Sequence, residues 1–145
     1  MRDMDKLDKF ARDLQEAILK DEKKKYSEKV VQLWLNPENV RRMTDPDGAA
    51  LMKGVCGDTV EIYLSIRNNK IYDASFFTDG CGPTVACGSL VTELVKGKSI
   101  EDALKLSPAS IIDALDGLPE ENIHCAILAI NTLHKAIADY LLKNF

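Results

Sequence analysis

The sequence predicts an α+β domain: a small antiparallel three-stranded sheet with helices packed on it, preceded by an N-terminal helical extension. Three observations predict it. The chain has 145 residues, 46% of them hydrophobic, which suits one domain with a single core. Its apolar period changes from helical to alternating over Val60 to Ile66 and returns to helical after Thr84. Capping and turn residues stand at the points where the period changes.

Residues 1–25 carry eight Lys/Arg and seven Asp/Glu, and a transit peptide would be poor in acids. Leu7, Phe10, Ala11, Leu14, Ala17 and Ile18 follow the stripe of an amphipathic helix with a charged outer face. These residues are read as an extension, and 26–145 as the domain itself. Ser27 is placed to cap a short helix carrying Val30, Val31, Leu33 and Trp34, which Asn36-Pro37 should end. A strand is expected near Ala49 to Lys53. Val60, Ile62, Leu64 and Ile66 then alternate with more polar neighbours, Asn68-Asn69 offers a turn, and Ile71 to Thr78 returns as the second arm of a hairpin. The helical pattern from Thr84 to Lys96 has Gly97 as its stop, and its core stripe runs through Cys87, Leu90, Val91 and Leu94. Ser99 and Ser107-Pro108 start two short helices. A last helix from about His124 to Leu142 carries Leu128, Thr132, Leu133, Ala136, Ile137, Tyr140 and Leu141 on one stripe.

The net charge of −4 and the lack of a basic groove with interleaved aromatics argue against nucleic acid as a partner. No apolar run approaches the roughly 20 residues that span a bilayer. A soluble, cytoplasmic chain without a membrane partner is the expectation.

Four cysteines follow the spacing C-x24-C-x5-C-x37-C, which matches no zinc finger and no CxxC redox signature. Reduced thiols are expected in the cytosol. Cys56 lies in VCGD, Cys81 follows the second hairpin strand, and Cys125 opens the last helix beside His124, so all three stand at ends of elements. Cys56 and Asp58 are two apart, which in extended chain puts thiol and carboxylate on one face. The positive end of a helix favours an ionised thiol at Cys125, and at Cys81 if a helix begins close by. Two readings stay open from the residues alone: a metal-binding edge, or Cys81 buried at a turn and Cys125 as the first apolar residue of its helix. His124 is likewise either a ligand or a packing and capping residue.

VCGD, DGCGPTVACGSLVTELVKGKS and NIHCAILA, in this order, resemble the U-type iron–sulfur cluster assembly scaffolds, the family of IscU and the N-terminal domain of NifU. The likeness runs from YSEKVVQLWLNPENV to AIADY, roughly Tyr26 to Tyr140. It implies a scaffold rather than an enzyme, on which Cys56, Cys81 and Cys125 build a transient [2Fe–2S] cluster with Asp58 and His124 completing the site. Sulfur would come as persulfide from a pyridoxal-phosphate cysteine desulfurase and iron from an iron donor, and the cluster would pass to recipient apo-proteins. A homodimer and zinc in the same ligand set are compatible with that resemblance. Where Hsp70-served scaffolds carry LPPVK, this chain reads LPEEN over Leu118 to Asn122, which argues against dependence on a dedicated Hsp70. Cys87 stands where many relatives have a small hydroxyl residue. It is expected to pack in the core, with auxiliary ligand or sulfur acceptor as its alternative role.

Within the resemblance, the alternative is a zinc-bound persulfide acceptor like the SufU branch, whose insertion between the second and third cysteines is not evident in the 43 residues between Cys81 and Cys125. Outside it, a thiol oxidoreductase would use Cys81 and Cys87 as attacking and resolving thiols. An interaction module with structural cysteines is the third class, and it would behave normally with all four thiols changed to serine.

Overall fold

The computed structural model describes Lys9, Arg12 and residues 25–144. Lys9 and Arg12 are helical and exposed; the rest of the expected N-terminal amphipathic helix lies outside the described residues. Five α-helices pack on a three-stranded sheet among the described residues: α1 (Glu28–Leu35), β1 (Gly48–Lys53), β2 (Thr59–Arg67), β3 (Lys70–Thr78), α2 (Gly82–Val95), α3 (Ile100–Leu104), α4 (Pro108–Ala114) and α5 (Ile123–Lys143), with one 3₁₀ turn at Glu120–Asn122.

The caps expected from sequence are present. Ser27 accepts from the Val30 N–H, Ser99 from Asp102, and Ser107 forms a reciprocal capping box with Ser110. The C-cap of α1 is Asn36. Gly97 follows α2 with φ +84°, which a side chain would oppose. Asn68 and Asn69 take φ values of 52° and 63°, the left-handed pair that a tight hairpin turn needs.

The strands run antiparallel in the order β1-β2-β3. Lys53 pairs with Thr59 at one end of the β1–β2 ladder, and Val60 pairs with Thr78 at the same end of β2–β3. A register shift between Ser65 and Ile66 lies at the far end. Val60, Ile62, Leu64, Ala74 and Phe76 form one fully buried face. Against it packs α5 through Leu128, Leu133, Ala136 and Ile137. The approach is close, because a Cβ on Gly48 of β1 would meet the Ala136 carbonyl oxygen at 2.4 Å. The Ala49 N–H also donates to Asp139 Oδ2 at 3.0 Å.

Two elements differ from the sequence reading. The stripe expected on α2 is only part of its buried surface: Gly82, Pro83, Thr84, Ala86, Cys87, Gly88, Ser89, Leu90, Val91, Thr92 and Val95 are all buried. On one side Gly88 lies against the Phe76 ring; on another Gly82 lies under the Trp34 indole. Tyr26 meets that indole edge-on, with ring centroids 5.9 Å apart. Small side chains let the helix be enclosed, and its hydroxyls find partners: Ser89 accepts from the Glu38 N–H at 2.8 Å, and Thr92 donates to the Gly88 carbonyl. The second difference is the final helical segment. Glu120–Lys143 is long and apolar enough, by length and composition, to cross a membrane, although 50% of its most apolar window is buried in the molecule. Asn131, His134 and Lys135 interrupt the run in the sequence, and the helix gathers the apolar residues onto the face that packs on the sheet.

The contact between α2 and β3 gives a direct test. A methyl at Gly88 would come within 2.5 Å of Phe76 Cδ2, so Gly88→Ala should lower stability by about 1–3 kcal/mol through overpacking. The urea midpoint measures it, and an unchanged midpoint would contradict this packing.

Candidate metal centre

Pairing at the Lys53–Thr59 and Val60–Thr78 end of the sheet brings the β1–β2 turn beside the exit of β3. Residues 54–58 form that turn and carry Cys56 and Asp58. The chain here is not extended, contrary to the alternation used to relate these two side chains. Lys53 and Thr59 are paired, so five residues must reverse direction, and Gly57 does so at φ +91°. The Gly54 N–H donates to the Asp58 carbonyl at 2.8 Å and the Gly57 N–H to the Gly54 carbonyl at 3.0 Å. Gly54 rests against Leu128 of α5, which docks the turn on that helix. Cys56 is exposed and its side chain has no hydrogen-bond partner among the described residues, whereas Asp58 is half-buried.

At the exit of β3, Thr78 Oγ1 donates to the Thr59 carbonyl at 2.5 Å and accepts from the Gly80 N–H at 3.0 Å. Asp79 Oδ1 accepts from the Thr59 N–H at 2.8 Å, which holds the Asp79 carboxyl below its ordinary range. These bonds deliver Cys81 to the N-cap of α2, exposed and with no capping hydrogen bond of its own. Cys125 is the third residue of α5 and is fully buried. Just before it, Asn122 Oδ1 accepts from the Tyr26 hydroxyl at 3.1 Å, and Glu121 pairs with Lys25.

The side chains meet at a residue the sequence reading did not single out. Thr84 Oγ1 lies 3.2 Å from Asp58 Oδ2, 3.3 Å from Cys125 Sγ and 3.6 Å from Cys81 Sγ. His124 Nε2 is 3.6 Å from Cys125 Sγ. The signal available in the sequence was position: Thr84 is three residues after the N-cap Cys81, the spacing at which side chains of a first helical turn face one another. Asp58, Cys81 and Cys125 are thus gathered about one hydroxyl, His124 adjoins Cys125, and Cys56 stands outside this hydrogen-bonded group. Among the described residues, no three or more His, Cys, Asp and Glu side chains form a group that could hold a single metal ion.

Burial pushes the Cys125 thiol up, with nearby Cys81 and Cys56 acting in the same direction, while hydrogen bonding to Thr84 and Asn122 opposes the rise. Burial thus acts on the Cys125 thiol in the direction opposite to that expected of the start of α5. Cys87 is fully buried in the core cluster, where its stripe was expected to place it. Burial pushes its thiol far up, and Cys125 and Cys81 add to the rise.

Residues 25–145 match the NifU-like N terminal domain. The chain belongs to that family. The iron–sulfur cluster assembly scaffold protein IscU 1 of Archaeoglobus fulgidus is 43% identical to it over 120 residues, covering 82% of this chain and 78% of that protein. The Aquifex aeolicus scaffold protein IscU is 43% identical over 121 residues, covering 81% and 77%. The N-terminal NifU-like protein of Brucella abortus has the same fold, with a TM-score of 0.64 at 18% identity over 81% of this chain and 94% of that one. The NifU-like resemblance drawn from the three cysteine motifs is borne out.

Cys87 in this NifU-like domain yields a pH test. With its folded-state value raised, the native thiol keeps its proton where the unfolded thiol, ordinarily at 9.0, loses it. Its contribution to stability is present in full below pH 9.0 and fades as pH rises beyond that value, by up to about 1.4 kcal/mol per pH unit. Cys87→Ala should cost about 1 kcal/mol at neutral pH through a small cavity. The difference in urea-unfolding free energy between wild type and variant should narrow above pH 9.0, and a difference independent of pH would contradict the buried thiol.

Proposed function

We propose that this NifU-like domain is a scaffold on which a transient [2Fe–2S] cluster is assembled and from which it is passed to recipient apo-proteins. The relatives' shared name as iron–sulfur cluster assembly scaffold proteins supports the class. The observation that carries the reading for this chain is the gathering of Cys81, Cys125 and Asp58 at the Thr84 hydroxyl, beneath an exposed turn that bears Cys56. Residues 26–145 form the scaffold domain in this reading and residues 1–25 its extension.

The donor set suits a cargo that must be released. Cys56, Cys81 and Cys125 supply soft thiolates, which bind iron–sulfur clusters well, and Asp58 supplies a hard oxygen at the fourth position. That oxygen makes a more exchangeable ligand than a fourth thiolate would. His124, beside Cys125, is the second candidate for that position. The two irons of the cargo divide the protein ligands between them, so the ligands need not close around one ion as tetrahedral zinc requires. The open grouping of these side chains favours the cluster over the zinc-bound relay. The two exposed thiols, Cys56 and Cys81, face solvent, where a desulfurase can deliver persulfide sulfur. Cys87, walled into the core, takes no part, and no catalytic residue is assigned.

Anaerobic incubation with a cysteine desulfurase, cysteine and ferrous iron tests the reading. Visible absorption with equal iron and acid-labile sulfide supports it; a colourless zinc protein that accepts sulfur would replace it with the sulfur relay. Serine at Cys56, Cys81 or Cys125 should abolish stable reconstitution while the circular dichroism spectrum is kept. Unchanged cluster yield in two of the three variants would sink the ligand assignment. Asp58→Ala should reconstitute but transfer its cluster to an apo-ferredoxin more slowly than wild type, and equal rates would remove Asp58 from the release step.

A further inference from the structure

Thr84 is 1% exposed and stands on the first turn of α2, within reach of side chains from three separate segments: Asp58 from the β1–β2 turn, Cys81 from the exit of β3 and Cys125 from α5. A buried hydroxyl is costly unless it finds partners. Here the partners are the groups proposed to hold the cluster. One hydroxyl offers a single proton and two lone pairs, so it can donate to Asp58 Oδ2 or to Cys125 Sγ while accepting from the Cys81 thiol. Its surroundings are shaped for that meeting. A Cβ on Gly80 would fall 2.8 Å from Asp58 Oδ2 and 2.9 Å from Thr84 Cβ, so glycine leaves the space in which carboxylate and threonine approach each other. The backbone bonds of residues 54–58 run within the turn, and the Asp58–Thr84 bond is the side-chain link from that turn to α2.

We propose that Thr84 is a positioning residue: its hydroxyl ties the Cys56-bearing turn to the helix ends that carry Cys81 and Cys125, and so holds the ligand set in register before cargo arrives. This rests on the scaffold reading above and adds to it the element that assembles the site. Thr84 is not itself one of the ligands. Its methyl group packs toward Gly80, while its oxygen organises the atoms that bind.

The test compares Thr84→Val, which keeps the shape and removes the hydroxyl, with Thr84→Ser, which keeps the hydroxyl. The first readout is backbone hydrogen–deuterium exchange in the metal-free protein. Thr84→Val should speed exchange over residues 54–58 on the order of fivefold, the equivalent of one net hydrogen bond, while β2 and β3 exchange as in wild type. Thr84→Ser should match wild type. The second readout is cobalt(II) titration followed by thiolate-to-cobalt absorption, in which Thr84→Val should bind about tenfold more weakly, as loss of a ligand's supporting partner does, with Thr84→Ser restoring affinity. Gly80→Ala, which pushes a methyl into the same space, should loosen the turn as Thr84→Val does, and it carries the test if the valine variant does not fold. Wild-type exchange over residues 54–58 in Thr84→Val overturns the proposal, and so does altered exchange with unaltered cobalt affinity. Wild-type protein that takes up no cobalt through its thiolates would overturn the ligand set, while the exchange contrast between valine and serine would still decide the role of Thr84 as a tether.

Discussion

Antiparallel pairing of β2 with both of its neighbours determines which parts of the chain meet. Because Lys53 pairs with Thr59 and Val60 with Thr78, the turn after β1 and the exit of β3 emerge at the same edge. The Thr59 backbone reinforces the junction, donating to Asp79 and accepting from Thr78. A slip of one residue along this ladder would exchange the faces of β2 and move its buried Val60, Ile62 and Leu64 into solvent. Burial of that face thus fixes the register, and the register fixes where Cys56, Asp58 and Cys81 stand. The third arm of the site comes from α5, held on the same sheet by Gly48 and by the Ala49–Asp139 bond.

Local chemistry made much of this legible in the sequence. Serines 27, 99 and 107 name their helices because a hydroxyl ahead of an apolar stripe satisfies free N–H groups wherever it occurs. Asn68-Asn69 names the hairpin because asparagine tolerates the left-handed backbone. The three cysteine motifs named the family. What stayed hidden depends on contacts between distant segments. Nothing local to α2 says that Trp34 and Phe76 close on it from different sides, and a sequence stripe reports one face only. The geometry of Cys56 and Asp58 was misread because alternation belongs to strands, and the ladder makes this stretch a turn. Thr84 went unnoticed because its partners lie 26 and 41 positions away in the chain. The direction of the Cys125 shift depends on desolvation, which the start of a helix does not reveal.

The two thiols of DGCGPTVACG show how one short segment divides its chemistry. Cys81 lies between β3 and α2, at the N-cap position, and is exposed; Cys87, about one and two-thirds turns further on, is walled in by the core. Burial withdraws Cys87 from thiolate chemistry, while Cys81 remains open to partners. The same helix therefore has an exposed sulfur at its start and a buried one in the core, with Thr84 between them at hydrogen-bonding distance from Asp58 and Cys125.

The chain's single tryptophan lies face to face with the Gly82 backbone, directly after Cys81. An indole in that position is an optical neighbour of the Cys81 sulfur. On the scaffold reading, a coloured cargo at Cys81 would sit within energy-transfer range of Trp34 and dim its emission, and the emission would recover as the cargo left. The packing contact that encloses the helix would then serve as a built-in fluorescent gauge of loading and unloading, readable without any attached label.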